Sequence, residues 1–508
     1  MFLLLLMASV LVACTAFTFP SHYRFSNRLL AMNNGNELDK VTIIGGGFGG
    51  LYTALKVAEQ ANNSIDVTLI DSKDRFVFLP LLYELAIGTA SVLEVAPQFK
   101  ELLSNTGVNF KQGSVTNINL ASNMLSIKNS NGDEENLNFG QLVLATGAAP
   151  RVDIIKGAKD YALPFYTVDD AYKLKSKLRK LQTSNKRIPR IAVVGGGYSG
   201  VEVACSISEY LGIESCIVSI IDRNNKIMHT SPKYNQKTAE ERLLNLGVSI
   251  NINTSVKNIN QDSIELLPSP TSFTDGTAIT NDLSNEDKAF IMDTDLVVIT
   301  AGMQPNKLIQ ELELPKDMKS GRLIVDRTLR CHHAGTTSTL DDDNDDDMMA
   351  STALWAIGDC AYIEGEQVPS TAQAAMQQAD ILSANLITTA SANTLTSSTS
   401  KGITAIDGQL TRSDKLKEFS FVPLGEMLTL GSLDASITGL GGLFKLSGPA
   451  AALARRAVYA ARMPTNQQRV KAAATGGFLG ALTLIKKGAS LLPSTTISNT
   501  NTDVDVRD

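Results

Sequence analysis

The sequence predicts an α/β protein built on two doubly wound, Rossmann-like domains with a helical segment after them. Three observations carry this expectation. A short apolar strand that runs into a Gly-x-Gly-x-x-Gly turn and then a helical pattern occurs twice, the first glycines 150 residues apart. Each copy is followed by a second apolar strand that closes on an aspartate. At 508 residues and 43% hydrophobic, the chain has room for two or three domains with substantial cores.

In the first copy the strand Val41 to Ile44 leads into Gly45-Gly46-Gly47-Phe48-Gly49-Gly50, the helical pattern runs from Leu51 to Gln60, and the strand Asp66 to Ile70 ends in Asp71. In such a unit Gly45 makes the tight turn, Gly47 lets the backbone approach a pyrophosphate, and Gly50 packs helix on strand. The helix N-terminus offers free N–H groups and a partial positive charge to the phosphates. Asp71, 26 residues after Gly45, can accept hydrogen bonds from a ribose. The unit is therefore expected to bind a dinucleotide.

The second copy repeats the argument. Ile191 to Val194 precedes Gly195-Gly196-Gly197-Tyr198-Ser199-Gly200, a helix follows from Val201, and the strand Cys216 to Ile221 ends in Asp222. Gly195, Gly197 and Gly200 take the three glycine roles, and Asp222 lies 27 residues after Gly195. An acid here favours the free 2′-hydroxyl of NADH, whereas a basic residue favours the 2′-phosphate of NADPH. Asp222 is followed by Arg223, so the pair points both ways, with NADH ahead on the acid and NADPH kept open by the arginine.

Two further strings fit a flavin fold around the first unit. Leu142-Val143-Leu144-Ala145-Thr146-Gly147 reads as a buried strand closing in a small-residue turn, and Leu354-Trp355-Ala356-Ile357-Gly358-Asp359 as a strand ending in Gly-Asp. Asp359 is placed to bond a ribityl chain. FAD is thus expected in the first unit, with NADH or NADPH visiting the second.

Composition narrows the chemistry. A net charge of −6 argues against nucleic acid, which needs a basic surface. The five cysteines, Cys14, Cys205, Cys216, Cys331 and Cys360, include no C-x-x-C pair, so electrons are expected to leave by a route other than a redox disulfide. The four histidines have no Cys or Glu at zinc spacing, and no catalytic metal is expected. Pro268 to Lys288, Thr336 to Thr352 with the acidic run Asp341 to Asp347, and the Ser/Thr/Ala tract Thr388 to Thr404 read as surface insertions.

At this point the residues resemble a family, the type II NAD(P)H:quinone oxidoreductases. The likeness rests on Phe78-Leu79-Pro80-Leu81-Leu82-Tyr83-Glu84, on Gly-Gly-Gly-Tyr-Ser-Gly-Val-Glu ending at Glu202, on Thr371-Ala372-Gln373-Ala374-Ala375-Met376-Gln377, and on Leu424-Gly425-Glu426-Met427. It runs from about Val41 to about Arg469 and is strongest toward the plastid and cyanobacterial branch, through Arg75-Phe76-Val77-Phe78, Leu82-Tyr83-Glu84-Leu85 and Leu424 to Gly431. The resemblance implies reduction of plastoquinone, demethylphylloquinone or a similar membrane quinone. It implies that Pro80 and Leu81 lie against the flavin ring, that Ala372 and Gln373 border it, and that Glu202 handles protons near nicotinamide and quinone. Glu202 reads equally well as a favourable acid in a first helical turn. A helix starting at Pro369 to Thr371 would project Gln373 and Gln377 from one face, with their amides available to a quinone carbonyl.

The chain's ends carry separate signals. Phe2 to Val12 is an apolar stretch of signal-peptide length, Cys14-Thr15-Ala16 offers cleavage before Phe17, and Phe17 to Gly35 is basic and acid-free. This resembles the two-part presequences of proteins sent into secondary plastids, with plain secretion as the rival. Between Gly441 and Leu492 lie eight basic residues, Lys445, Arg455, Arg456, Arg462, Arg469, Lys471, Lys486 and Lys487, and no acid. Such a segment is attracted to anionic headgroups. Ala472 to Ile485 is uncharged for only 14 residues, short of the roughly 20 that span a bilayer. A monotopic anchor follows, with Phe478, Leu479, Leu482 and Ile485 in the interface; a docking face for an acidic protein is the alternative.

The expected organisation is a presequence at 1–36, an FAD domain at 38–163 and 331–420, split around a nicotinamide domain at 164–330, a membrane-association region at 421–492 and a tail at 493–508. The expected location is the plastid, on the thylakoid membrane or plastoglobule surface, with the mitochondrion as alternative. Without spanning helices no proton pumping is expected, and a homodimer stays open. Two rival readings are a soluble flavin reductase serving a protein partner and a nucleotide-sensing redox scaffold.

Overall fold

The computed structural model describes residues 39–474 apart from 63, 185–186, 269–270, 275–276, 281–288, 333–352 and 400–415. The expected presequence, the Asp341 to Asp347 run, residues 400–404 of the Ser/Thr/Ala tract, the anchor residues Phe478 to Lys487 and the tail lie outside the described residues.

The first unit is strand β1 (Lys40–Ile44), helix α1 (Phe48–Gln60), β2 (Asp66–Asp71), helix α2 (Leu82–Ile87), β3 (Val108–Gln112) and β4 (Gln141–Leu144). The second comprises β5 (Ala162–Pro164), β6 (Arg190–Val194), α3 (Tyr198–Leu211), β7 (Ile217–Ile221), α4 (Lys233–Asn245), β8 (Ser249–Asn251) and β9 (Leu296–Ile299). The chain then returns through β10 (Ala353–Ala356) and the long helix α5 (Ala372–Thr399). It closes with β11 (Gly425–Thr429), β12 (Ala435–Gly439), β13 (Phe444–Ser447) and α6 (Pro449–Ala461).

Each unit folds into a five-stranded parallel sheet, in the orders β10-β4-β1-β2-β3 and β8-β7-β6-β9-β5. Central strands such as Val41 to Ile44 and Ile191 to Val194 are buried over their whole apolar runs: α1 and α3 pack on one face of their sheets, and in the second unit an antiparallel sheet (Thr254–Ile259, Ser263–Pro268 and Phe290–Asp293) packs Ile259, Ile264 and Leu266 against the other. Since β10 pairs with β4, the first sheet is completed only after the second has been built. Helix α5 packs along α1 on that sheet and starts at a threonine cap, Thr371 Oγ1 accepting the Ala374 N–H at 3.2 Å.

Two expectations change here. The Ser/Thr/Ala tract is not surface loop from its start: α5 continues to Thr399, and Ala390 is buried. The C-terminal region is not helical throughout, because the antiparallel meander β11-β12-β13 precedes α6. Among the described residues no helix is long and apolar enough to cross a membrane.

The meander and α6 clamp both units. Asn235 on α4 donates to Thr438 Oγ1 at 3.1 Å and accepts from Ser436 at 2.7 Å, and Arg242 Nε donates to the Leu430 carbonyl at 2.9 Å. On the other side Arg455 of α6 reaches Tyr83 and Glu84 of α2. That placement corrects the lipid-facing reading of Arg455 and Arg456. Arg455 is 2% exposed, and both guanidiniums bond the Glu84 carboxylate instead of solvent. Buried charge must be paired, and the meander's docking brings the partners together.

Candidate active site

At the C-terminal ends of β1, β4 and β10 the first glycine turn is held from both sides. Gly45 has φ +104°, and a Cβ there would come 2.4 Å from the Ala145 carbonyl oxygen. A Cβ on Gly50 would stand 1.8 Å from the Gly45 carbonyl oxygen, so helix and strand approach as only glycine allows. Gly47 differs: nothing lies within 4 Å of its Cβ position. That open space, at the N-terminus of α1 with its free N–H groups, is a cradle a diphosphate fits.

The remaining first-unit residues gather around this cradle. Ala145, Thr146 and Gly147 continue from β4, and Gly147 has φ +64°. Gly358 and Asp359 form a 3-10 turn after β10, and Gln378 of α5 accepts the Gly358 N–H at 2.7 Å. Burial raises the Asp359 carboxyl while Arg322 pulls it down, and burial beside Asp359 pushes the Tyr166 phenol up to about 12. Pro80 and Leu81 sit in a turn whose Phe78 ring meets the Phe48 ring edge-on, with centroids 5.3 Å apart. Pro80 is half-buried and Leu81 buried.

The second turn repeats the design. Gly195 has φ +112° and its Cβ would meet Ala301 Cβ at 2.8 Å, a Cβ on Gly200 would lie 1.8 Å from the Gly195 carbonyl oxygen, and Gly197 again faces open space. The two aspartates also behave alike. Asp71 Oδ2 accepts the Gly46 N–H at 2.6 Å and its Oδ1 the Lys73 N–H at 2.8 Å. Asp222 Oδ2 accepts the Gly196 N–H at 2.5 Å, and its Oδ1 accepts the backbone and side-chain N–H groups of Asn224 at 2.7 and 2.8 Å. Each acid thus braces its own glycine turn before it meets a ribose. Arg223 is exposed beside Asp222.

Glu202 stands on α3 where that helix meets β11 and α2. It is not in the first turn of α3, which starts at Tyr198 and holds no acid there. It is half-buried, its Oε1 accepts the Thr429 N–H of β11 at 3.1 Å, and desolvation raises its carboxyl to about 7. The Thr429 N–H and the Arg455 charge oppose that rise, and Glu84 adds to it. A carboxylic acid poised near neutrality can give and take a proton at ordinary pH.

The paired glutamines divide. Gln377 Nε2 donates to the Val422 carbonyl at 2.8 Å and its Oε1 accepts the Val422 N–H at 3.0 Å, so its amide is engaged by backbone on both sides. Gln373 Oε1 accepts the Leu424 N–H at 3.3 Å. Together they pin the stretch that enters β11. Residues that the sequence did not single out include Gln378, Phe99 packed on Gly46, and Glu426, whose Oε2 accepts from Tyr198 Oη and, at 2.7 Å, from Ser231. Glu426 stands in a motif string, yet nothing in that string shows that it meets the second glycine turn.

Known proteins place this geometry. Residues 39–379 match the family described as Pyridine nucleotide-disulphide oxidoreductase. The chain is 35% identical over 437 residues to a demethylphylloquinone reductase of Synechocystis sp., covering 85% of this chain and 94% of that protein. It is 33% identical over 466 residues to an alternative NAD(P)H-ubiquinone oxidoreductase C1, chloroplastic/mitochondrial, of Arabidopsis thaliana, covering 86% and 80%. The solved structure of NDH2 from Plasmodium falciparum in complex with NADH shares the fold, with TM-score 0.67 at 19% identity over 88% of this chain and 98% of that one. Kinship at 35% identity over nearly the whole length decides the matter: this chain belongs to the pyridine nucleotide-disulphide oxidoreductase family and, within it, to the type II NAD(P)H:quinone oxidoreductases.

Proposed function

We propose that the chain is a peripheral, non-pumping NAD(P)H:quinone oxidoreductase of the plastid, with FAD held at the Gly45 to Gly50 cradle and NADH or NADPH visiting at Gly195 to Gly200. The observation that carries this reading is the pair of matched cradles with a near-neutral carboxyl, Glu202, standing where their units meet. When bound, a flavin supplies the two-electron chemistry that accepts hydride from a nicotinamide and returns electrons to a quinone.

The chain's own residues do the rest. Asp71 and Asp222 hold the two turns in register, and the α1 and α3 N-termini bind the diphosphates. Gln378 fixes the Gly358 turn against α5, whose N-terminus brings positive potential to the ring region. Quinone reduction needs one hydride and one solvent proton per NAD(P)H, and Glu202 holds that proton beside the site. The substrate is a membrane quinone such as plastoquinone or demethylphylloquinone; one relative is a demethylphylloquinone reductase and another an NAD(P)H-ubiquinone oxidoreductase, and the latter's chloroplastic/mitochondrial place supports an organellar location.

The test is purified protein, its flavin spectrum, and NADH against NADPH consumption with a short-tailed quinone. Bound flavin without quinone-dependent oxidation sinks the reading. For membrane association, truncation after Ala474 leaves α6 in place and removes the expected anchor. Retained flotation with anionic liposomes moves the anchor elsewhere, and exposed Leu443, Phe444 and Leu453 are then the next surface to change.

A further inference from the structure

A charged ladder runs through the interior where α6 meets α2. Arg455 donates from Nη1 to Tyr83 Oη at 2.8 Å and from Nη2 to Glu84 Oε1 at 2.5 Å. Arg456 bonds the other Glu84 oxygen and lies 3.6 Å from Glu94 Oε1. Tyr83 Oη in turn bonds Thr429 Oγ1, and the Thr429 N–H is the one that Glu202 accepts. Tyr83, Glu84, Glu94 and Arg455 are each 5% exposed or less.

Burying four such groups is costly, and a well-packed apolar core would hold α6 at least as well. Their arrangement therefore asks for a reason other than stability. A proton wire is not that reason, because a guanidinium keeps its proton inside proteins and the Glu202 contact is a backbone N–H. What the ladder does supply is one charge of fixed sign at one fixed place. Arg455 is locked by Glu84, by Tyr83 and by the Tyr459 ring, 5.0 Å from its guanidinium.

We propose that Arg455 is a positioning residue for Glu202: clamped by Glu84 and Tyr83, it supplies the fixed positive charge that lets Glu202 pass between its acid and carboxylate forms, so that helix α6 completes the site. The inference rests on the reading of Glu202 as the proton-handling group. It makes the C-terminal module part of the catalytic apparatus, since both groups that favour the Glu202 carboxylate, the Thr429 N–H and Arg455, come from it. The other titratable groups around Glu202 are Tyr198 and Cys205 on its own helix, Tyr83 and Glu84 on α2, and Tyr459 on α6. Burial raises the phenols and the thiol, which stay neutral at working pH. That leaves Arg455 and Glu84 as the charged neighbours, and they act in opposite directions.

The experiment titrates the full flavoprotein by infrared spectroscopy, following the protonated-carboxyl band that Glu202→Gln removes, beside the pH profile of quinone reduction. Arg455→Gln moves the midpoint of that band upward by about one pH unit, and Arg455→Lys returns it. Glu84→Gln, which keeps both arginines and serves if Arg455→Gln fails to fold, moves it downward. A band unmoved in either neutral variant overturns the proposal. A rate profile that keeps its titration in Glu202→Gln overturns the proton-handling reading on which the proposal stands, and is distinguishable because the band still reports the coupling.

Discussion

The carboxylate of Asp222 accepts the backbone N–H of Gly196 at 2.5 Å, so the acid at the end of β7, expected to meet a nucleotide's 2′-hydroxyl, also braces the glycine turn. Its second oxygen is taken by Asn224. Its neighbour Arg223 is exposed, and a 2′-phosphate on an incoming nucleotide is expected to meet it. Arg223→Gln should lower kcat/KM for NADPH about tenfold, the worth of one charge-assisted hydrogen bond, and leave NADH within about twofold. Steady-state kinetics with both donors checks this.

The glycines separate binding from folding. Gly47→Ala meets nothing in the protein and should fold, yet its methyl fills the cradle, so the variant should purify colourless. Gly197→Ala should stay yellow and lose reduction by NAD(P)H. Gly50→Ala drives a Cβ into the Gly45 carbonyl and should fail to accumulate as folded protein, whichever nucleotide is added. Absorbance of the purified variants and stopped-flow reduction distinguish the three.

Glu202 should cost stability in a definite pH window. Its carboxyl is raised to about 7 in the folded chain from 4.5, so the folded state binds more protons between those values. Stability from this group is fully present below about 4.5 and lost as pH rises through about 7. Glu202→Gln should therefore match the parent's melting temperature at pH 4 and exceed its stability at pH 8, by about 2 kcal/mol after screening on its open side is allowed for. Equal melting curves at pH 8 would falsify the assignment of a strained, proton-holding carboxyl.

Gln377→Leu removes both bonds to Val422 and should free the stretch entering β11 without discharging flavin. Each bond is worth about 1 kcal/mol. Hydrogen exchange at the Val422 amide should quicken, while quinone reduction falls through looser placement of Thr429 behind Glu202. An unchanged exchange rate argues against the anchoring role.

What was legible beforehand was local. Gly45, Gly47 and Gly50 are readable because a strand, a turn and a helix N-terminus impose their demands within six residues, and the same holds for Gly195 to Gly200. Gln373 and Gln377 were rightly placed on one helix start, but their partners, Leu424 and Val422, lie across a stretch the sequence does not connect to them. Arg455 and Arg456 looked like surface charge, because an acid-free run of basic residues usually is one. Their acid, Glu84, sits 371 positions from Arg455.

By itself the sequence determined two nucleotide cradles, since close backbone approach admits glycine alone and the spacing of glycine and aspartate follows from strand and helix geometry. Only the tertiary structure decided what surrounds Glu202. Docking of the meander and α6 brings Thr429 and Arg455 to Glu202, and burial there, which no single stretch of chain possesses, lifts that carboxyl into the range where it can trade a proton.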